Sequence, residues 1–150
     1  MPLNEHELEE FLRGERLAHF ATVSTDGRPR VRPLWYVWEG GAFWFTTRLE
    51  ARWTGADVAR SPWAAISIAS ENRPYRAVIA RGPVEVWHDE RENWLERIAV
   101  RYGEAEGRLW VKRALKEPDR AVLRMAPRAL VTWDYGKGDV QHENPLLDRG

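Results

Sequence analysis

The chain has no cysteine. That absence removes disulfides, thiolate nucleophiles, iron–sulfur clusters and cysteine zinc sites together. It has no net charge either, because 23 Lys and Arg balance 23 Asp and Glu. This argues against duplex nucleic acid or an anionic membrane surface as a partner. No apolar run approaches the roughly 18 residues of a membrane span, and Met1–Glu10 is polar and acidic, so the cytoplasm is the expected location. No Gly-x-Gly-x-x-Gly or Walker loop follows a strand, and no Gly-x-Ser-x-Gly elbow or His-Glu-x-x-His helix occurs. The four histidines (His6, His19, His88, His142) are scattered, with no pair at metal spacing. No metal site and no side-chain nucleophile or acid–base constellation is expected.

What remains is an ordinary globular composition, 43% hydrophobic and 31% charged over 150 residues. That length suits one domain over residues 1–150. Tryptophan is abundant, with nine copies. They serve either a core of large side chains or a pocket for a planar ligand, and composition alone favours the core.

The periodicity reads as strands with helices between and after them. Asn4-Glu5-His6-Glu7 has the form of a capping box before a short helix carrying Leu8, Phe11 and Leu12 on one face, with Gly14 as its stop. Leu17–Ser24, Pro29–Trp38 and Ala42–Thr47 read as three strands. The turns Thr25–Arg28 and Glu39–Gly41 are too short for parallel crossovers, so an antiparallel meander is expected. Leu49–Arg60 reads as a helix with Trp53 and Ala56 on one face. Trp63–Ser70 reads as a strand buried on both sides, and Tyr75–His88 as a long strand with a bulge or bend at Gly82-Pro83. A helix from an Asp89 cap to Tyr102, a helix over Glu104–Leu115, and strands at Ala121–Met125 and Leu130–Tyr135 follow. Lys137–Gly150 reads as a mobile tail, leaving a core of about residues 17–135. The expected class is mainly β with peripheral helices (α+β), a small antiparallel barrel.

Candidate chemistry concentrates in three consecutive segments. Arg30 and Arg32, two apart, leave the same face of the second strand. Thr46, Thr47 and Arg48 stand where the third strand gives way to a helix. Hydroxyls, guanidinium groups and helix amides suit a phosphate, and Trp35, Tyr36, Trp44 and Trp53 could flank the planar part of such a ligand. The plainer reading makes the arginines edge-strand solvators and Thr47 a helix cap. Arg76 and Arg81 on the fifth strand are further candidate cations, on the substrate side, although a solvated barrel exterior is the favoured reading of both.

These segments carry a family resemblance. Leu17–Arg48, with its Ala-x-x-Ala-Thr-Val-Ser-x-Asp-Gly-x-Pro and Pro-Leu-Trp-Tyr-Val-Trp-x-Gly-Gly runs, resembles the pyridoxamine 5'-phosphate oxidase-like split β-barrel family. The likeness continues through Ser61–Ile68 and Arg73–Gly82 to Pro127–Tyr135, nearest the flavin/deazaflavin oxidoreductase branch. It implies a split β-barrel of the FMN-binding type and a homodimer with cofactor at the interface. It further implies FMN or the deazaflavin coenzyme F-420 as cofactor, and oxidoreduction of a small organic substrate. By the same resemblance the main chain of Arg32, Pro33, Leu34, Trp35 and Tyr36 lies along the cofactor ring. Thr46, Thr47 and Arg48 approach the phosphate, and Trp133 matches the family's late Trp, placed either at the partner's site or in the core; Arg30 is a cofactor-binding candidate through its spacing to Arg32. The family's helix commonly adds a Ser and an Arg-Lys pair; here Ala51-Arg52-Trp53 keeps Arg52 and places Ala51 and Trp53 at the other two positions. A non-catalytic binder or carrier of a flavin, haem or other flat ligand, and a purely structural dimer, are the rival expectations.

Overall fold

Asn4 opens the first helix as its sequence requires. Its side chain accepts from the Glu7 amide at 2.9 Å while the Glu7 carboxylate accepts from the Asn4 amide at 2.8 Å. Helix α1 (Glu5–Arg13) then buries Phe11 and Leu12. The computed structural model describes residues 1–137, so the expected tail lies outside the described residues apart from Lys137. Among these are eight strands and four helices: β1 (Ala18–Val23), β2 (Pro29–Leu34), β3 (Tyr36–Glu39), β4 (Ala42–Arg48), α2 (Trp53–Arg60), β5 (Trp63–Ala69), β6 (Arg76–Trp87), α3 (Arg91–Val100), α4 (Glu104–Ala114), β7 (Arg120–Met125) and β8 (Ala129–Asp134). None of these helices is long and apolar enough to cross a membrane.

All strand pairs are antiparallel and run β2-β1-β5-β6-β7-β4-β3, with β8 also on β6. The sheet curls into a split β-barrel. Strand β6 serves both halves: Arg76–Arg81 pair with β8, then Val84–Trp87 pair with β7. The partner change falls at Gly82-Pro83. There the strand is continuous with β5 rather than bulged, so the corner exists without the extra residue. Gly82 is required for space, since a Cβ would lie 2.8 Å from the Ala126 carbonyl oxygen of the β7–β8 connection.

Several expected boundaries move for identifiable reasons. The expected second strand, Pro29–Trp38, is two strands broken at Trp35. The β1–β2 ladder runs through Pro33 to Leu34 and stops there, and the Tyr36 amide donates to the Tyr102 hydroxyl at 3.1 Å. Strand β2 therefore pairs with β1 and β3 with β4, and the meander becomes two hairpins in different halves of the barrel. Helix α2 begins four residues late, because the amides of Leu49, Glu50 and Ala51 go to Asp119. Its buried residues are Thr54, Gly55, Asp57 and Val58, while Ala56 is exposed. Strand β5 alternates, with one face buried rather than two. Asp89 does not cap α3; Glu90 does, in the left-handed region at φ 53°, with no side-chain bond.

Two clusters of apolar side chains follow. Inside the barrel, Phe20, Phe43, Phe45, Ile66, Leu123 and Met125 pack with Phe11 and Leu12 of α1. Outside it, Trp94, Leu95 and Ile98 of α3 and Val111 of α4 cover Trp44 and Val122. Trp44 and Trp94 stack with centroids 3.6 Å apart, and Trp87 stands edge-on to Trp44 at 5.3 Å. These three tryptophans dock helices.

Candidate functional site

A cleft of about 290 Å³ opens where the break between β2 and β3 meets the end of β4. Strand β2 contributes Arg32, Pro33 and Leu34; Trp35 follows at the break; β4 contributes Thr46, Thr47 and Arg48; and Arg52 stands just before α2. The structure thus brings eight of the twelve sequence-expected residues to one wall. Two more lining residues, Trp110 on α4 and Arg120 at the start of β7, come from far along the chain. Neither was expected. Arg120 could have been found by pairing, since it sits opposite Arg48 in the β4–β7 ladder, but strand order is not readable from periodicity.

The other four expected residues stand elsewhere. Arg30 forms a two-pronged pair with the buried Asp57 carboxylate (Nε–Oδ2 3.0 Å, Nη2–Oδ1 2.7 Å), and Thr22 donates to the same carboxylate at 2.8 Å. The Trp53 ring lies under the Arg30 guanidinium, 5.1 Å from centroid to Cζ. A Trp at this position thus has local work covering that pair. Tyr36 is wholly buried, its hydroxyl donating to the Leu12 carbonyl, which makes it a core residue by its side chain. Trp133 is paired opposite Ala77 on the β6–β8 edge of the barrel. Of the further candidates, Arg76 lies 3.2 Å from Asp134 and lines a second cavity with Arg16, His19, Arg73, Glu15 and Glu71, where charges of both signs meet. Arg81 is exposed.

Four guanidinium groups converge on the cleft, and two are neutralised. The Asp119 carboxylate accepts from Arg48 Nε at 2.9 Å and from the amides of Glu50 and Ala51 at 3.1 and 3.0 Å. Burial opposes its ionised form. The Ala51 amide, the Arg48 guanidinium and the Glu50 amide outweigh burial and hold the carboxyl at about 2. Glu117 accepts from Arg120 at 2.6 Å and lies 3.5 Å from Arg48. Among the described residues Arg32 and Arg52 make no ion pair. Burial and the positive charges of Arg52 and Arg120 press the Arg32 pKa downward. The Thr46 hydroxyl is committed to the Ala121 carbonyl at 2.9 Å, so cations gathered against their mutual repulsion beside the Thr47 hydroxyl make the seat for an anion.

The aromatic part of the wall is Trp35. Its indole stacks on Tyr102 at 5.0 Å and meets Trp110 edge-on at 5.3 Å. The Tyr102 hydroxyl donates to the Arg16 carbonyl at 2.6 Å, and the adjacent Arg101 donates to the carbonyls of Leu12, Arg13 and Gly14 at the end of α1. The ring in the cleft is thereby fixed from behind. No group of three or more metal-ligating side chains exists among the described residues.

The curled antiparallel sheet, divided at Trp35 and joined through β6, with a cationic and aromatic cleft at the division, defines a protein of the split-barrel class. The chain belongs to the pyridoxamine 5'-phosphate oxidase family, whose sequence profile matches residues 5–134. Similar solved structures include a conserved hypothetical protein from Mycobacterium tuberculosis, at TM-score 0.74 and 20% identity over 96% of this chain and 94% of the other. An F-420 reductase aligns at TM-score 0.65 and 28% identity over 81% and 94%. The heme storage protein HutZ from Vibrio cholerae aligns at TM-score 0.66 and 20% identity over 87% and 94%. No curated protein matches the chain.

Proposed function

We propose that the protein is a cytoplasmic oxidoreductase that binds FMN or coenzyme F-420 in the Arg32–Arg52 cleft and acts on a small organic substrate. It does so as a homodimer of one-domain protomers. The observation that carries this reading is the pair of guanidinium groups, Arg32 and Arg52, standing without a carboxylate beside Thr46, Thr47 and the Trp35 ring. The two guanidinium groups and the Thr47 hydroxyl fit a cofactor phosphate next to a flat group. When bound, such a cofactor supplies hydride or electron transfer at its ring. The chain's part is to hold and orient. Arg32 and Arg52 bind the phosphate, and Trp35 and Trp110 form an apolar flank. Pro33 lacks an N–H and the Tyr36 amide is spent on Tyr102, so main-chain donation to the ring falls to Leu34 and Trp35. The family membership and the likeness to an F-420 reductase support the assignment.

The second reading is a carrier of a flavin, haem or other flat ligand on the same barrel. It is supported by the flat Trp35 and Trp110 rings in the cleft lining, and by the likeness to a heme storage protein. Titration of FMN and of F-420, each followed by tryptophan fluorescence, tests both. Saturable quenching by one cofactor is expected, because Trp35 and Trp110 line the cleft. Arg52→Ala should weaken it by about one to two decades, the loss of one charge-assisted bond of roughly 1.5–3 kcal/mol. Riboflavin, which lacks the phosphate, should bind both proteins alike. Turnover with the reduced cofactor supports the oxidoreductase, and tight binding without turnover supports the carrier. If Arg52→Ala binds FMN and F-420 as tightly as the unaltered protein, the phosphate assignment is wrong.

A further inference from the structure

Four arginines on one cleft would suit a highly charged polyanion, yet the chain supplies two carboxylates of its own to the same place. Glu117 and Asp119 come from the short segment between α4 and β7, which lies outside the strand and helix motifs that mark the cleft in the sequence. Asp119 satisfies Arg48 and the amides of Glu50 and Ala51; Glu117 pairs with Arg120 and lies within 4 Å of Arg48. Asp119 is held ionised at any ordinary pH. Two guanidinium charges, on Arg32 and Arg52, are left uncompensated. A phosphate monoester carries about −1.5 to −2 at neutral pH.

We infer that Glu117 and Asp119 set the charge of the cleft so that it accepts a single phosphate group and discriminates against more highly charged phosphates. This deepens the proposed function and rests on its assignment of an anion to Arg32 and Arg52. The physical basis is subtraction. An unpaired guanidinium at Arg48 or Arg120 would attract any anion more strongly, and a more highly charged anion most of all. By spending both on internal carboxylates the protein gives up affinity for polyanions and keeps a match for a single phosphate. Specificity obtained by removing attraction is a recognised alternative to adding contacts.

The probes are inorganic phosphate and pyrophosphate, titrated by calorimetry into the full chain, its Glu117→Gln variant and its Asp119→Asn variant. Glu117 is partly exposed, so its amide should leave the fold intact, while the Asn at 119 retains an acceptor for the turn amides. Melting curves confirm folding in each case. The unaltered protein should bind phosphate at least as well as pyrophosphate. Glu117→Gln should shift the ratio toward pyrophosphate by about fivefold, the size expected for one unscreened charge several ångströms away in a partly wet cleft. Asp119→Asn should shift it the same way. A ratio unchanged in the folded Glu117→Gln protein overturns the inference, whatever Asp119→Asn does. If the unaltered protein binds neither probe nor FMN, the anion assignment falls and this inference with it. Binding that Arg52→Ala abolishes, with a ratio that Glu117→Gln does not move, leaves the proposed function standing and removes only the charge-setting role.

Discussion

Arginine at positions 30 and 32 shows how far a two-residue period carries. The two side chains leave one face of β2, as the spacing requires, but they have different work. Arg32 lines the cleft, whereas Arg30 is taken by Asp57, 27 residues away on α2. Periodicity gives the face and is silent on the partner. Tyr36 makes the same point, since alternation past the break turns its ring into the core. The arginines and threonines of the cleft were legible because their chemistry is unusual at a strand end. Trp110 and Arg120 were not, because no local pattern connects them to β2. At this scale Trp53→Lys is informative. The substitution removes an aromatic face from Arg30 and puts a second cation beside it. It should leave FMN affinity unchanged while lowering stability by about 1 kcal/mol, measured by urea denaturation beside the fluorescence titration.

Among the elements, α1, β1, β4, β6, α4 and β7 lie close to where their sequences place them, because capping boxes, paired glycines and alternating runs are local signals. The break at Trp35 and the late start of α2 were hidden, because each depends on a distant group: the Tyr102 hydroxyl in one case and the Asp119 carboxylate in the other. The α3–α4 pair is attached to the barrel through the Trp44–Trp94 stack. Trp94→Ala should cost about 3–5 kcal/mol of stability in thermal or chemical unfolding. It should also loosen the α4 side of the cleft, read as weaker cofactor quenching. Two elements depend on buried carboxylates, the α2 turn on Asp119 and α2 itself on Asp57. Both carboxyls are held below the ordinary aspartate value of 3.8, Asp119 at about 2 and Asp57, despite burial, by Arg30 and Thr22. A depressed folded-state pKa contributes stability that is complete above the unfolded value. The melting temperature should therefore be insensitive to these groups above pH about 5. It should fall steeply between about pH 4 and pH 2, as they are protonated.

The molecule as a whole presents one face unlike the rest. On the half of the barrel formed by β2, β1, β5, β6 and β8, the outward side chains include Val23, Val31, Trp63 and Val131, each 48% exposed or more. Apolar residues gathered on a sheet face mark a docking surface, and the homodimer belonging to the proposed function would use it. Sedimentation should give a dimer, and Val31→Glu should shift it to monomer at micromolar concentration with the barrel still folded. An unchanged sedimentation coefficient in that variant would place the interface elsewhere.

The connection between β6 and β7 has a meaning for how such a molecule diversifies. Trp87 and Val122 face each other in the β6–β7 ladder, yet 34 residues separate them, including both α3 and α4. The barrel needs only a hairpin at that point. The segment between them carries Trp110 of the cleft wall, and Glu117 and Asp119, which pair with the cleft's Arg48 and Arg120. Replacing that segment with another that still covers Trp44 and Val122 would rewrite what the cleft accepts without touching the strands that hold Arg32, Thr46 and Thr47. One wall of the cleft, at Trp110, is thus carried on a stretch of chain separate from the strands that carry the rest.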